Sequence, residues 1–147
     1  MRIDRVTEAA QVHRAADLFD RPPRSAATAV FLAAPGHHLL VAYDDHDDPV
    51  GMVTGVELTH PDKGTEMFVY ELGVAPSARR RGVATALLHA LGALARSRGC
   101  YGMWVAVDTD NDAALATYAR AGARDEGDCT VRGWTWNPDD RVPSAPA

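Results

Sequence analysis

The sequence has two cysteines, Cys100 and Cys129, and neither belongs to a C-x-x-C pair. A disulfide scaffold and a cysteine zinc site are therefore not expected, and both thiols read as reduced residues of a cytoplasmic protein. No run of 18 apolar residues occurs, so no membrane-spanning helix is expected. The first residues, MRIDRVTEAAQVHRAAD, lack the apolar stretch of a secretion signal. Basic residues are outnumbered, with 15 Lys and Arg against 20 Asp and Glu, for a net charge of -5. That balance argues against nucleic acid as the main partner. Two nucleotide-binding signatures, GxxxxGK[ST] and GxGxxG, are missing. The six histidines show no metal-ligand spacing. Asp108, Asp110 and Asp112 resemble the start of a calcium loop, but Ala113 and Ala119 stand where it needs Gly and Glu. No metal is expected.

What is present suits one domain. The 147 residues are 46% apolar, enough to form a core. Residues 1–136 read as that domain, and 137–147, with three prolines, as a flexible tail. A short strand lies around Ile3 and Val6. Thr7 is placed to cap a helix through Val12 and Leu18 that stops at Pro22-Pro23, and Ser25 to cap a second helix ending near Pro35-Gly36. Strands follow at 39–43, 50–58 and 67–74, with hairpin chemistry at 60–64. Val83, Leu87, Leu91 and Leu94 give a helical period from Gly82 to Arg98, closed by Gly99. Residues 103–107 read as a strand, 113–121 as a helix stopped by Gly122, and 130–136 as a last strand. The fold class is α/β (α+β): a mixed, mainly antiparallel sheet flanked by helices, with strand 103–107 parallel to strand 67–74.

The chemistry concentrates where the strand ending at Val74 gives way to the helix at Gly82. Free N–H groups and the positive dipole end of a helix start form an anion site. Gly82 lets a phosphate approach the backbone, Ala84 keeps the next position small, and Arg79, Arg80 and Arg81 can pair with phosphate oxygens. Taken alone, basic residues before an amphipathic helix are also common.

Arg79-x-x-Gly82-x-Ala84 after Tyr70-Glu71-Leu72-Gly73-Val74 resembles the pyrophosphate loop of the GNAT acetyltransferases. Asn111-Asp112-Ala113-Ala114 with Tyr118 and Gly122 resembles that family's N-x-x-A-x-x-x-Y-x-x-x-G-F, with Ala123 in place of the final aromatic. The resemblance spans residues 38–136 and implies an acetyl-CoA site. It implies backbone amides of residues 80–85, including Val83 and Thr85, on the pyrophosphate. The backbone at Leu72, Gly73 and Val74 would pair with the pantetheine arm, Asn111 would bond that arm, and Tyr118 would sit near the thioester sulfur.

Acetyl transfer to an amine needs a base, because most amines are protonated at pH 7. Glu71 is the candidate, a carboxylate in an otherwise apolar strand; a structural ion pair with an arginine is the competing reading. Strict alternation sets Glu71 on one face with Val69 and Gly73, and Phe68, Tyr70, Leu72 and Val74 on the other. Tyr118 is the candidate proton donor to the leaving thiolate, or else a core tyrosine. Glu57, Glu66, Glu71, Asp108, Asp110 and Asp112 are expected around the reaction centre, where they would favour a small cationic amine.

Within the family the chain is most similar to the small aminoglycoside 3-N-acetyltransferases. The shared stretches are residues 69–74, residues 80–87, and Asp108 with residues 112–118 and 122–125. Glu71 stands where Asp is typical there, and the strand at 131–136 differs. The resemblance implies an aminoglycoside acceptor. The alternatives are a GNAT enzyme for a peptide N-terminus, polyamine or amine metabolite, and a non-catalytic acetyl-CoA-binding sensor. Trp134 and Trp136 on one strand face read either as core or as a homodimer surface.

Overall fold

The apolar runs between residues 37 and 74 build three long antiparallel strands in the computed structural model, which describes residues 1–134 and 136. The elements are β1 (Arg2–Arg5), α1 (Ala9–Arg14), α2 (Ser25–Ala33), β2 (His37–Tyr43), β3 (Pro49–His60), β4 (Gly64–Val74), α3 (Val83–Ser97), β5 (Met103–Val105) and α4 (Asp112–Arg120). The sheet order is β1-β2-β3-β4-β5. Among the described residues only the β4–β5 pair is parallel, as a helical crossover between them requires.

Helix α3 covers one face. Val83, Leu87, Leu91 and Ala95 recur every four residues and are buried, so one stripe of the helix lies on Leu40, Val53, Met67 and Val69. Gly51 and Gly55 let it come close: a Cβ on Gly55 would stand 2.9 Å from Leu91 and 2.8 Å from Met67. The helix ends in a Schellman arrangement, with the Gly99 N–H on Arg96 O and the Cys100 N–H on Ala95 O. Helices α1 and α2 cover the other face over Leu39, Val41, Tyr43 and Met52. No helix among the described residues is long and apolar enough to cross a membrane.

Several boundaries depart from the sequence expectations. Thr7 does not cap α1. Gln11 turns back instead, and its Oε1 accepts from the Thr7 and Glu8 backbone N–H groups at 3.0 and 3.1 Å. The helix stops at Arg14 and is followed by a 3-10 turn at Ala16–Leu18. Ser25 is the first residue of α2 and no side chain caps that helix. Strand β5 ends at Val105 rather than residue 107. The last strand does not form over residues 130–134, where Val131 and Trp134 are exposed. Thr135 and residues 137–147, including the expected tail, lie outside the described residues.

The alternation of β4 is also broken. Thr54 pairs with Glu71, but Gly55 pairs with Val69, so Tyr70 is an extra residue bulged out of the ladder. Val69, Leu72 and Val74 consequently share the α3 face. Glu71 and Gly73 turn to the α1–α2 face, where Gly73 meets Leu18 O and Glu71 meets Asp20. Glu71 therefore does not share a face with Val69.

Candidate active site

The bulge falls where β4 loses its outer neighbour. Pairing with β5 covers only Met67–Met103, Phe68–Trp104 and Val69–Val105. Beyond Val69, β4 runs on to Val74 paired, among the described residues, only with β3. The Glu71 N–H donates to Thr54 Oγ1 at 3.0 Å and the Ala75 N–H to Val50 O at 2.9 Å, both towards β3. Leu72 and Val74, which alternate with them, turn their backbone groups to the open edge. A strand-like ligand can pair there.

The chain then makes a 3-10 turn at Pro76–Ala78 and reaches α3 through two left-handed residues, Arg80 at φ 57° and Gly82 at φ 82°. Gly82 is the N-cap of α3, no side chain caps the helix, and a Cβ on Gly82 would meet nothing within 4 Å. The N–H groups of Val83, Ala84 and Thr85 are the unbonded donors of the first turn. Arg79 folds back, its Nε donating to Val74 O at 3.2 Å, and Arg80 and Arg81 are exposed beside the helix start. An uncapped helix start, an open position at Gly82 and a strand edge leading to it, where Arg79 already shares Val74 O, fit a pyrophosphate with an extended arm.

Helix α4 packs against α3 and brings Tyr118, half-buried, onto the core beneath α3. Burial pushes the Tyr118 phenol above its usual range. Asn111 caps α4, its Oδ1 accepting from Ala114 N at 3.1 Å, which leaves its amide N–H groups as the donors for a ligand. Asp112 sits in the first turn of α4, favourable to the helix dipole. Asp108, Asp110 and Asp112 are exposed on the β5–α4 loop and helix start.

Glu71 stands on the opposite face, in the wall of an open cleft of about 360 Å³. Phe19, Phe31, Leu39, Val56 and Tyr70 supply most of its wall, with His37 and Thr54. A continuation of about 300 Å³ past Phe19 and Tyr70 adds Asp20 and Arg21. Burial raises the Glu71 carboxyl above the usual carboxylate range. A 3.4 Å hydrogen bond from the Asp20 backbone N–H opposes the shift, and the Asp20 charge adds to it. No arginine pairs with Glu71 among the ion pairs described.

The other expected acids do not gather there. Glu57 lies on the α3 face of β3, bonded to Arg98 Nε at 2.6 Å and to buried His38 Nε2 at 2.7 Å. Arg98 holds its carboxyl below the usual range. Glu66 accepts from the Tyr101 hydroxyl at 2.9 Å. The cleft wall from Phe19, Asp20 and Phe31 was not singled out from sequence. These residues lie about 40 or more positions before Glu71, and only their apolar type in the first two helices hinted at burial.

The model of the acetyltransferase (GNAT) family matches residues 6–123. The chain belongs to the GNAT family. It is an acetyl-CoA-dependent N-acetyltransferase, and its five-stranded mixed sheet with flanking helices is the GNAT fold. Its structure is similar to an aminoglycoside acetyltransferase from an uncultured soil metagenomic sample, at 20% identity and a TM-score of 0.83, covering 92% of this chain and 96% of that one. A second such enzyme, also from an uncultured soil metagenomic sample, is 27% identical with a TM-score of 0.76, covering 92% and 100%. The aminoglycoside 6'-N-acetyltransferase of Acinetobacter haemolyticus is 19% identical with a TM-score of 0.73, covering 93% and 100%. Its stated position is 6', which gives the expected 3-N position no support.

Proposed function

We propose that this GNAT enzyme acetylates a primary amine docked over Glu71, with Glu71 as base and Tyr118 as proton donor. The observation that carries the reading is the opening in the sheet. Pairing between β4 and β5 stops at Val69–Val105, with a half-buried carboxylate on one face just beyond it and a half-buried phenol on the other. Bound acetyl-CoA would supply an acetyl group activated as a thioester.

The chain's own groups would do the following. Arg79, Arg80, Arg81 and the amides of residues 82–85 hold the pyrophosphate by charge and by the helix start. Leu72 and Val74 align the pantetheine arm along the open edge, flanking Gly73, and the Asn111 amide donates to the same arm. The Glu71 carboxylate takes a proton from the incoming ammonium and frees its lone pair. Tyr118 Oη gives a proton to the departing sulfur. The tyrosine's ordinary pKa of about 10 exceeds the roughly 8.5 of a thiol, so the transfer is uphill in water. The burial that raises Tyr118 acts on the thiol beside it too, so the shared site need not widen the gap.

Two acceptor classes have support. An aminoglycoside is favoured by the sequence stretches around residues 69–87 and 108–125 and by the names of the similar structures. Asp108, Asp110 and Asp112 would then receive its further ammonium groups. An amine with a single charge is favoured by the cleft at Glu71, whose described lining holds only two carboxylates, Glu71 and Asp20. Thiol release from acetyl-CoA by the purified protein, with each amine in turn, tests the reading. Cofactor binding with no transfer to any amine would leave a non-catalytic sensor instead.

A further inference from the structure

The cleft at Glu71 has a chemistry of its own. Phe19, Phe31, Leu39, Val56 and Tyr70 make a wall of rings and branched chains, and the Glu71 carboxylate stands where the cleft meets its continuation. The other polar groups in that wall are few: the Thr54 and Tyr70 hydroxyls and the His37 ring. Thr54 Oγ1 accepts from the Glu71 N–H, and the His37 ring packs edge-on against Phe31 with centroids 5.3 Å apart. A hydroxyl-rich body placed here would lose its hydration and find few partners, and buried polar groups without partners are costly. A second ammonium would fare no better. Glu57 is committed to Arg98 and His38 on the far face, Glu66 to Tyr101, and Asp108, Asp110 and Asp112 do not line the cleft. In the continuation past Phe19 the one further acid among the described residues, Asp20, is accompanied by the guanidinium of Arg21.

Size allows such a body. A cavity of roughly 150 Å³ holds a benzene. The 360 Å³ next to Glu71 therefore accommodates one ring on a short chain.

The geometry points to a primary amine carried by a short chain on an apolar or aromatic body as the acceptor, its ammonium at Glu71 and its body between Phe19, Phe31 and Tyr70. This rests on the acetyltransfer reading above and narrows its substrate class. The specificity-determining residues are Phe19, Phe31 and Val56, none of which belongs to a cofactor motif. Acetyl transfer forms the new C–N bond and breaks the C–S bond; the ammonium gives one proton to Glu71, the thiolate leaves as thiol with the proton from Tyr118, the second nitrogen proton restores Tyr118 by way of solvent, and Glu71 returns its proton to water.

Thiol release with the full chain tests it, using butylamine, pentylamine, hexylamine, phenethylamine, spermidine and kanamycin as acceptors. The alkylamines ionise alike, so their series reports the body alone. kcat/KM is expected to rise about fourfold for each added methylene. Phenethylamine should exceed kanamycin and spermidine at least tenfold. Phe31→Ala should lower kcat/KM for phenethylamine about tenfold or more with acetyl-CoA affinity unchanged, and Phe31→Leu should recover most of it. A flat alkylamine series, or kanamycin or spermidine equal to or better than phenethylamine, overturns the substrate class and leaves acetyl transfer standing. Acetyl-CoA binding with no transfer to any of the six overturns the acetyltransfer reading and this inference with it.

Discussion

Replacing Glu71 by Gln keeps the shape of the side chain and removes the base. The carboxylate is half-buried, held by one long hydrogen bond from Asp20, and touched by no cation in the ion pairs described. The amide should therefore fit without unfolding the chain. The sign of its stability effect follows from the raised pKa. A carboxyl titrating higher in the folded chain than in the unfolded one favours folding below its unfolded pKa, and that contribution is lost as pH rises through the folded value. Glu71→Gln should accordingly be no less stable than the parent at neutral pH. The kinetic effect should be large. A positioned base contributes about 10²–10⁴-fold, or roughly 2.7–5.4 kcal/mol at 1.36 kcal/mol per factor of ten. kcat/KM for an amine of high pKa should be level in the parent above the Glu71 pKa, because Glu71 deprotonates the bound ammonium. Below that pKa, which lies above the ordinary carboxylate value, it should fall. The variant depends on free amine, so its kcat/KM should climb about tenfold per pH unit and the deficit should close in alkali. A deficit that is the same at every pH, or full activity at every pH, would refute Glu71 as the base.

Tyr118→Phe removes only the hydroxyl of a half-buried ring; kcat should fall about 10²-fold or more while the Kd for acetyl-CoA stays within a few-fold, as single-turnover rates and titration would show. Gly82→Ala puts a methyl group into open space at φ 82°, so its conformational cost is about 1–2 kcal/mol and shows as a modest fall in Tm. The methyl group also occupies the phosphate approach, and acetyl-CoA affinity should drop at least tenfold by calorimetry. Glu57→Ala leaves buried His38 and partly exposed Arg98 without their carboxylate and should cost about 1–3 kcal/mol in urea unfolding. The Glu57 pKa is depressed, so that difference should shrink as pH falls through its folded value.

Much of the architecture was legible because local rules agreed with the fold. Val83, Leu87 and Leu91 gave α3 its buried stripe, Gly99 and Gly122 closed α3 and α4 at positive φ, and the crossover fixed β5 as parallel. The bulge at Tyr70 was not legible. An inserted residue has no signature in a run such as Phe68-Val69-Tyr70-Glu71-Leu72, yet it decides which face Glu71 occupies. The roles of Glu57 and of the cleft wall were hidden for another reason. Arg98 is 41 residues from Glu57, and Phe19, Phe31 and Val56 meet Glu71 only after two helices fold across the sheet. The caps at Thr7 and Ser25 failed because a single hydroxyl is weak evidence of a cap: Gln11 took the first role and no side chain took the second.

The central claim is acetyl transfer to an amine at the opening between β4 and β5. Mass analysis of the acceptor after incubation with acetyl-CoA and the protein tests it most directly, with thiol release followed in the same sample. One acetyl group gained by the amine for each thiol released, lost in Glu71→Gln at neutral pH and regained in alkali, is the predicted result. Acetyl-CoA bound with every amine unchanged, or transfer indifferent to Glu71, would contradict it.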